Sequence, residues 1–460
     1  MRPMQISITI KDDELPERLE QVFKIVPRAV WCRRASDLSD RERQNPLLGV
    51  YFDERYAIER FLDRALRHWA QHGRLLSVSS EPEGGRYYDL YSFIHVLTSV
   101  YPRLSPKGQV RVRGYLRSGL QSEDGLAAFA HELSVAVHLW SMDFDVDFTD
   151  IEDRARFDIL AMKDDLRLEV DCKTHSADVG RQIHQRRAIE LFHRVTPAFK
   201  IFAKPGIGRT VDVVLPGRLR GADSYMNAVA STIRDAIAQN KSLSVPQIAD
   251  VSLGGFAMED EPTLFTKAPT ADALARIAER LGRTYRHVHW FGSPNEQAAV
   301  VAIVSSREPD QVVDYIYRQL KKSAERQFSG TNPALVAANL LDLTSEQLRE
   351  LASGPSELGN IANHLFAGPD RGHLFGVAFV SPADIPTPVG ARLASRGMAL
   401  LFRREGHPLA QDLRLSLFKP HGHPNGSAFL DHLPFWIARV GPIDPQARLG
   451  EPPIRRVERR

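Results

Sequence analysis

The chain has 460 residues, of which 43% are hydrophobic and 25% are charged, and its formal net charge is +3. This length allows two or three domains with large cores, and the composition is typical of globular proteins. A net charge this close to neutral favours no partner by itself, so any nucleic-acid surface must be local. The amino terminus lacks a signal-peptide pattern and the apolar runs are too short to span a bilayer, which predicts a cytoplasmic protein without a membrane partner. The two cysteines exclude a disulfide framework.

Residues 1–125 are predicted to form a mostly helical amino-terminal domain. Apolar residues recur there at three- and four-residue steps, most clearly in YAIERFLDRALRHWAQHG. From about residue 126 the pattern changes to a helix, three strands, a polar helix at about 177–195, a strand and a further helix. This order predicts a layered α/β or α+β core.

The second half of the chain is predicted to continue that core. A domain spanning 126–345 would contain an irregular insertion at about 241–285, and the strand-like segments after the insertion would extend the same sheet. Residues 346–460 are predicted to be a mixed region, because glycine and proline turns alternate there with short strand-like segments.

The segment RFDILAMKDDLRLEVDCKTH, residues 156–175, has the pattern of a hairpin. If Asp164 and Asp165 form a two-residue turn, Lys163 pairs with Leu166 and Asp158 lies opposite Asp171. Apolar residues then fall on one face of the strand pair, namely Phe157, Ile159, Ala161, Leu168, Val170 and Cys172. The other face carries Asp158, Glu169, Asp171 and Lys173. A one-residue slip would turn the apolar set outward, so the pattern favours this register.

Two opposed carboxylates suit a divalent cation. Asp158 and Asp171 would lie roughly 5 Å apart at their β-carbons and would repel unless a positive charge lay between them. Magnesium prefers oxygen ligands and usually takes one or two carboxylates, leaving positions for water and a phosphate. Lys173 on the same face can contact that phosphate or orient the attacking water, and this combination suits phosphodiester hydrolysis.

These residues resemble the core motif of the PD-(D/E)xK nuclease superfamily, the restriction-endonuclease-like fold. In that family a helix with a glutamate precedes three antiparallel strands, and a helix and a fourth strand follow. The resemblance implies a mixed sheet flanked by helices over about residues 126–220, with Mg²⁺ as cofactor and Mn²⁺ as its substitute. It assigns Asp158, Asp171 and Lys173 to the motif and Glu132, in FAHELSVAV, to the helix glutamate.

The motif departs from the family pattern at two positions. Phe157 stands where the motif has its proline, and Asp171 is the less usual acid at its position. Glu169, diagonal to Asp158, is therefore a further candidate metal ligand beside Asp158, Asp171 and Glu132.

The polar helix after the motif is the predicted nucleic-acid surface. Ser176 to Asp178 has the composition of a helix start. Helices at this place in the family often line the substrate groove, and some contribute a glutamine. The candidate nucleic-acid-binding residues are Arg181, Gln182, Gln185 and Arg187, whose side chains suit contacts to backbone phosphates.

Structural alternatives remain open at each position. The acids and Lys173 could form an exposed polar hairpin face, and Glu132 could be a buried acid paired with Arg154 or Arg156.

The favoured function is a metal-dependent nuclease in prokaryotic defence or repair, acting on DNA in preference to RNA. The alternative is a catalytically inactive module of the same fold that binds nucleic acid or a protein partner.

Overall fold

The structure, a computed structural model, describes residues 12–76, 84–176, 178–265, 271–283, 287–293, 297–341, 348, 351, 357–384, 396–404, 407 and 435–436. The helices are α1 (Leu15–Ile25), α2 (Arg28–Gln44), α3 (Leu48–Arg55), α4 (Ala57–His72), α5 (Gly84–Val100), α6 (Pro106–Gln121), α7 (Ala127–Ser141), α8 (Gln185–Phe202), α9 (Asp223–Gln239), α10 (Ala271–Arg280), α11 (Val312–Arg326) and α12 (Glu357–Phe366). The strands are β1 (Asp145–Phe148), β2 (Ile159–Lys163), β3 (Leu166–His175), β4 (Ile207–Leu215), β5 (Leu243–Val245), β6 (Ala249–Ala257), β7 (Val288–Ser293), β8 (Ala298–Ser306), β9 (Ala334–Leu340), β10 (Leu374–Asp384), β11 (Arg396–Arg403) and β12 (Phe435–Trp436). The mixed α/β class predicted from the sequence is confirmed.

The chain divides into two compact units. The first unit contains Met1–Ser36, Asp53–Ser176 and Ile316–Arg460, and the second contains Asp37–Phe52 and Ala177–Tyr315. The chain therefore leaves the first unit directly after β3 and returns to it within α11. These bounds differ from the predicted domains because long-range packing, which periodicity does not reveal, joins the amino-terminal helices to the motif strands.

The sheet of the first unit has the order β1-β2-β3-β9-β10-β11-β12. The strands β1, β2 and β3 form an antiparallel meander, β3 pairs with β9 in parallel, and β9 pairs with β10 in parallel. Every residue of β9 is buried, as expected for an apolar strand between two parallel neighbours. Asp171 in β3 lies beside Val336 in β9.

One hydrophobic core joins this sheet to the amino-terminal helices. It contains buried residues of α1, α4, α5, α6 and α7 together with residues of β1, β2, β3, β9 and β10. Helix α7 supplies Leu133, Ala136 and Trp140 to this core. On the same helix, the ring Nε2 of His131 lies 3.1 Å from the carbonyl of Ala337 in β9. The helix that carries Glu132 is thus held against the strands that carry the motif.

The second unit has its own sheet, with the order β5-β6-β4-β8-β7. Strand β4 pairs with β8 in parallel and with β6 in antiparallel orientation. Residues of α8 and α9 share a core with residues of β4, β6 and β8, and α10 contributes to a second core with other residues of β8. The unit is therefore a second α/β layered structure within the chain.

The predicted continuation of the motif sheet is corrected by this topology. Strands β4, β7 and β8 belong to the second unit, whereas β9, β10 and β11 extend the sheet that contains the motif. The helix and strand that follow β3 within the first unit are α11 and β9, and not α8 and β4. Pairing between β3 and β9 joins segments more than 150 residues apart, which local patterning does not reveal.

Candidate functional site

The predicted hairpin register is confirmed. Lys163 pairs with Leu166 and Ile159 pairs with Val170, and the turn residue Asp164 has a φ of 52°. Aspartate tolerates this left-handed conformation better than most residues do, which explains a tight turn without glycine. Asp158 lies just before the paired part of β2, so the predicted pair of Asp158 with Asp171 is not part of the register, and the Asp158 N–H donates to the carbonyl of Val170 at 3.1 Å.

The apolar face of the hairpin is buried as predicted, and so is much of its polar face. The buried apolar residues are Phe157, Ile159, Ala161, Leu168, Val170 and Cys172. On the opposite face Glu169 is 1% exposed and Asp171 is 0% exposed. The alternative of an exposed polar hairpin face is therefore wrong, because Ser323 of α11 covers Asp171 and the segment with Ser329 and Asn332 covers Glu169.

Asp171 has a partner on each carboxylate oxygen. Lys173 Nζ donates to Oδ1 at 2.8 Å, and Ser323 Oγ of α11 donates to Oδ2 at 2.5 Å. Burial raises the pKa of Asp171, and the bonds from Lys173 and Ser323 oppose this rise. Lys173 is the more accessible member of the pair, with 29% of its side chain exposed. Burial lowers the pKa of Lys173, but Asp171 and Asp158 outweigh burial and raise it overall, so the lysine is a cation.

Asp158 is held beside Asp171 by the backbone of the next strand. Its Oδ2 accepts a hydrogen bond of 2.5 Å from the backbone N–H of Cys172. Burial, followed by the negative charge of Asp171, raises the pKa of Asp158 to about 7, although Lys173 and the Cys172 N–H act in the opposite direction. The two motif aspartates are thus close enough for the charge of Asp171 to act on Asp158.

Glu132 of α7 belongs to the same electrostatic cluster. Burial raises its pKa well above the ordinary value, and the charges of Asp158, Asp150 and Asp171 add to this rise while Lys173 opposes it. Arg154, one of its two suggested partners, instead forms a salt bridge with Asp147. The structure therefore brings Glu132, Asp158, Asp171 and Lys173 together.

Asp150 is an acid near this cluster that the sequence reasoning missed. It follows β1, and its charge raises the pKa of Glu132, Asp158 and Asp171. Tyr115 Oη donates to Asp150 Oδ2 at 2.6 Å, and burial and this bond raise the pKa of Tyr115. The available signal was the position of Asp150 at the end of the strand preceding the motif hairpin.

Glu169 has a different environment from Asp171. Its Oε2 accepts from the N–H of Ser329 at 2.8 Å, and its Oε1 accepts from Asn332 Nδ2 at 2.9 Å and from the hydroxyl of Ser329. The carboxylate is therefore surrounded by donors of the segment between α11 and β9. These bonds give Glu169 a structural role and make it the weaker candidate ligand.

The predicted polar helix begins later than expected. Helix α8 starts at Gln185, and the Gln185 N–H is capped by Asp178 Oδ1 at 2.8 Å. Arg181 and Gln182 consequently lie in the segment before the helix, and Ala177 lies outside the described residues. Asp178 is thus a cap across a longer loop, seven residues before Gln185, and not the start of a helical turn.

The four candidate nucleic-acid-binding residues lie in the second unit, whereas the carboxylates and Lys173 lie in the first. Arg181 forms a salt bridge of 2.8 Å with Asp310, and Gln182 Nε2 donates to the Pro309 carbonyl at 3.2 Å. Arg187 forms a salt bridge of 2.7 Å with Glu190. These contacts engage the two arginines and Gln182, so a phosphate ligand would compete with them.

The carboxylate oxygens of Asp158 and Asp171 suit a small, hard cation that takes few protein ligands. Across the described residues, no group of three or more His, Cys, Asp or Glu side chains is arranged to hold a metal ion. Asp158 and Asp171 nevertheless present oxygen atoms in a buried, negatively charged cluster, and Mg²⁺ usually takes one or two carboxylates together with water and substrate phosphate. Asp158 and Asp171 would hold the cation, with Glu132 as a further carboxylate of the same cluster.

Comparison with known proteins adds no relative of this chain. No protein-family model matches it, no curated protein matches it, and no solved structure matches it. Within the described part of the chain, every helix is too short or too polar to cross a membrane.

Proposed function

We propose that the chain is a metal-dependent nuclease that hydrolyses phosphodiester bonds, with DNA as the favoured substrate over RNA. The observation that carries this proposal is the joint placement of Asp158, Asp171 and Lys173 at one end of the motif hairpin. Two neighbouring buried aspartates, both with a raised pKa, are costly in a folded protein unless a cation or a function compensates. A module that only binds phosphate would gain nothing from this negative cluster.

The order of the elements supports the same proposal. Helix α7 with Glu132 precedes β1, β2 and β3, and within the first unit α11 and the parallel strand β9 follow. This is the helix, three strands, helix and strand expected of the PD-(D/E)xK nucleases, with the second unit inserted after β3. We therefore propose membership of that superfamily. A cytoplasmic role in prokaryotic defence or repair is proposed only by analogy of fold.

The chain's own residues would perform three tasks. Asp158 and Asp171 would hold Mg²⁺ or Mn²⁺, which when bound would stabilise negative charge on the attacking and leaving oxygens. Lys173 would donate to a phosphate oxygen or to the attacking water, because its side chain is partly exposed and its Nζ lies beside Asp171. Glu132, whose raised pKa favours the protonated form, would accept or release a proton as the charge of the site changes.

The test compares the wild type with Asp171→Asn, which keeps the shape of the side chain and removes its charge. Each protein is incubated with circular DNA, linear DNA and RNA in magnesium, in manganese and in chelator, and metal binding is measured by calorimetry. Asp145→Asn is the matched control, since Asp145 is a half-buried aspartate of β1. We expect metal-dependent cleavage by the wild type and the control, and its loss in Asp171→Asn.

Two other results would contradict the nuclease proposal. If the wild type binds nucleic acid without cleavage and without metal, the inactive module is the better description. If the wild type neither binds metal nor cleaves any substrate, the nuclease proposal fails.

A further inference from the structure

Ser323 is the residue of α11 that reaches the motif strand. Its side chain is almost fully buried, with 1% exposure, and its Oγ donates to Asp171 Oδ2 at 2.5 Å. Asp171 itself is 0% exposed, and its other oxygen accepts from Lys173 at 2.8 Å. The carboxylate is therefore fixed at both oxygens by donors from two different elements.

The position of Ser323 is set by the packing of its helix. Ile316, Leu320 and Ala324 are buried on α11 and orient the face on which Ser323 lies. A serine inside a helix commonly donates to the carbonyl four residues earlier. Here the hydroxyl donates its single proton to Asp171 Oδ2, and so it does not donate to a carbonyl of its own helix.

A carboxylate retains acceptor capacity after two such bonds. Each oxygen has two lone pairs, so Asp171 can accept from Lys173 and Ser323 and still bind a cation. With both oxygens held, the plane of the carboxylate is fixed, and the remaining lone pairs have a defined direction. Residues that orient a metal-binding carboxylate in this way typically change metal affinity by about 10–100-fold when removed.

We propose that Ser323 is a positioning residue, which orients the Asp171 carboxylate for binding a divalent cation. This inference rests on the proposed metal-dependent nuclease. Ser323 itself contacts neither the substrate nor the cation in this proposal. Ser323 lies outside the motif that suggested the function.

The test measures Mg²⁺ and Mn²⁺ affinity directly, by calorimetry on the full chain. Ser323→Ala removes the donor, Ser323→Cys replaces it by a weaker donor of similar size, and Ser323→Thr keeps the hydroxyl. Ser134→Ala is the matched control, because Ser134 is a helical serine whose hydroxyl donates to the Ala130 carbonyl at 2.9 Å. We expect Ser323→Ala and Ser323→Cys to weaken metal binding by about 10–100-fold. Ser323→Thr and the control should remain close to the wild type.

The metal dependence of cleavage gives a second readout. If Ser323 acts through the metal site, raising the magnesium concentration should restore most of the cleavage rate of Ser323→Ala, whereas a general packing defect would not be restored. Wild-type metal affinity in folded Ser323→Ala or Ser323→Cys would overturn the inference and leave the nuclease proposal intact. Absence of metal binding and cleavage in the wild type would instead reject the nuclease proposal itself.

Discussion

Asp158 accepts, at Oδ2, a hydrogen bond of 2.5 Å from the backbone N–H of Cys172, the residue between Asp171 and Lys173. This bond ties the first acid of the motif to the strand that carries the other two motif residues. The bond lowers the pKa of Asp158, but burial and the charge of Asp171 raise it more, so the pKa is about 7. The metal-free site is therefore a source of instability at neutral pH.

The stability of the metal-free protein should fall as pH rises towards 7. Asp158 has an ordinary pKa of 3.8 and a folded-state pKa of about 7, so between these values the folded state binds more protons than the unfolded state. The stability that this group contributes is thus present below about pH 4 and lost as pH rises through 7, by an amount on the order of a few kcal/mol. Urea unfolding in chelator at several pH values should show this slope, and Asp158→Asn should reduce it. An equal slope in Asp158→Asn would show that Asp158 is not the source of the pH dependence.

Glu59 provides an internal comparison for the effect of metal. Burial raises its pKa to about 7 as well, while the charges of Arg34 and Arg55 act in the opposite direction. Its stability contribution is lost with rising pH in the same direction as that of Asp158, so Glu59→Gln should also flatten the pH dependence. Magnesium should stabilise the wild type and Glu59→Gln alike, because ligand binding to the folded state adds stability by mass action. It should not stabilise Asp158→Asn to the same extent, and thermal unfolding with and without Mg²⁺ measures this difference.

Lys173→Met should separate catalysis from metal binding. The substitution removes the ammonium group 2.8 Å from Asp171 Oδ1, together with its contact to substrate or water. Cleavage should fall by about 10²–10³-fold, the usual cost of losing one preorganised electrostatic donor. Metal affinity should change less than cleavage does, because the loss of a competing positive charge offsets the loss of the hydrogen bond from Lys173 that helps to orient Asp171. Lys163→Met in the same hairpin is the control and should cleave as the wild type does; a matching loss there would point to disruption of the hairpin.

Glu169→Ala should affect stability more than metal binding. Its carboxylate accepts hydrogen bonds from the Ser329 N–H, the Ser329 hydroxyl and Asn332, so truncation removes three bonds that hold the segment between α11 and β9. Ser329 is exposed and its donors can bond to water instead, so each lost bond should cost about 0.5–1.5 kcal/mol. Urea unfolding should record this loss, while calorimetry on the folded variant should give the wild-type metal affinity. A large drop in affinity with little loss of stability would return Glu169 to the set of metal ligands.

The local part of the site could be predicted from the sequence, and the long-range part could not. Alternation of apolar and polar residues fixes the register between Ile159 and Val170, because any slip exposes the apolar face. The contact between Ser323 and Asp171 depends on α11 packing against β3 after a separate unit of the chain, and no local pattern contains that information. Asp150 was missed for a related reason, since its charge reaches the cluster from the loop after β1.

The start of α8 shows how a local rule can mislead. Ser176 to Asp178 has the composition of a helix start, yet Asp178 caps the N–H of Gln185 across a loop. A side-chain oxygen can cap a helix from several residues away, and composition alone does not give that distance. The arginine-rich segment consequently lies partly outside the helix.

A basic stripe on α11 should contribute to nucleic-acid binding if the nuclease proposal holds. Three basic residues recur every four positions on this helix and lie on one exposed side of it, namely Arg318, Lys322 and Arg326. The same helix carries Ser323, which is buried. All three belong to the first unit, as do Asp158 and Asp171. The acidic cluster repels a polyanion, so cations on a neighbouring element would support the approach of the phosphate backbone. Replacing all three by alanine should weaken DNA binding, measured without divalent metal to prevent cleavage.

The salt dependence of binding should identify these contacts as phosphate contacts. Each phosphate contact to duplex DNA contributes about 0.9 to the slope of log affinity against log salt, so the triple variant should lose up to about three such increments. Lys321→Ala is the matched control on the same helix, because it removes one positive charge that lies outside the stripe. An unchanged slope in the triple variant, with folding intact, would mean that the stripe is a solvated helix face and that the substrate is held elsewhere.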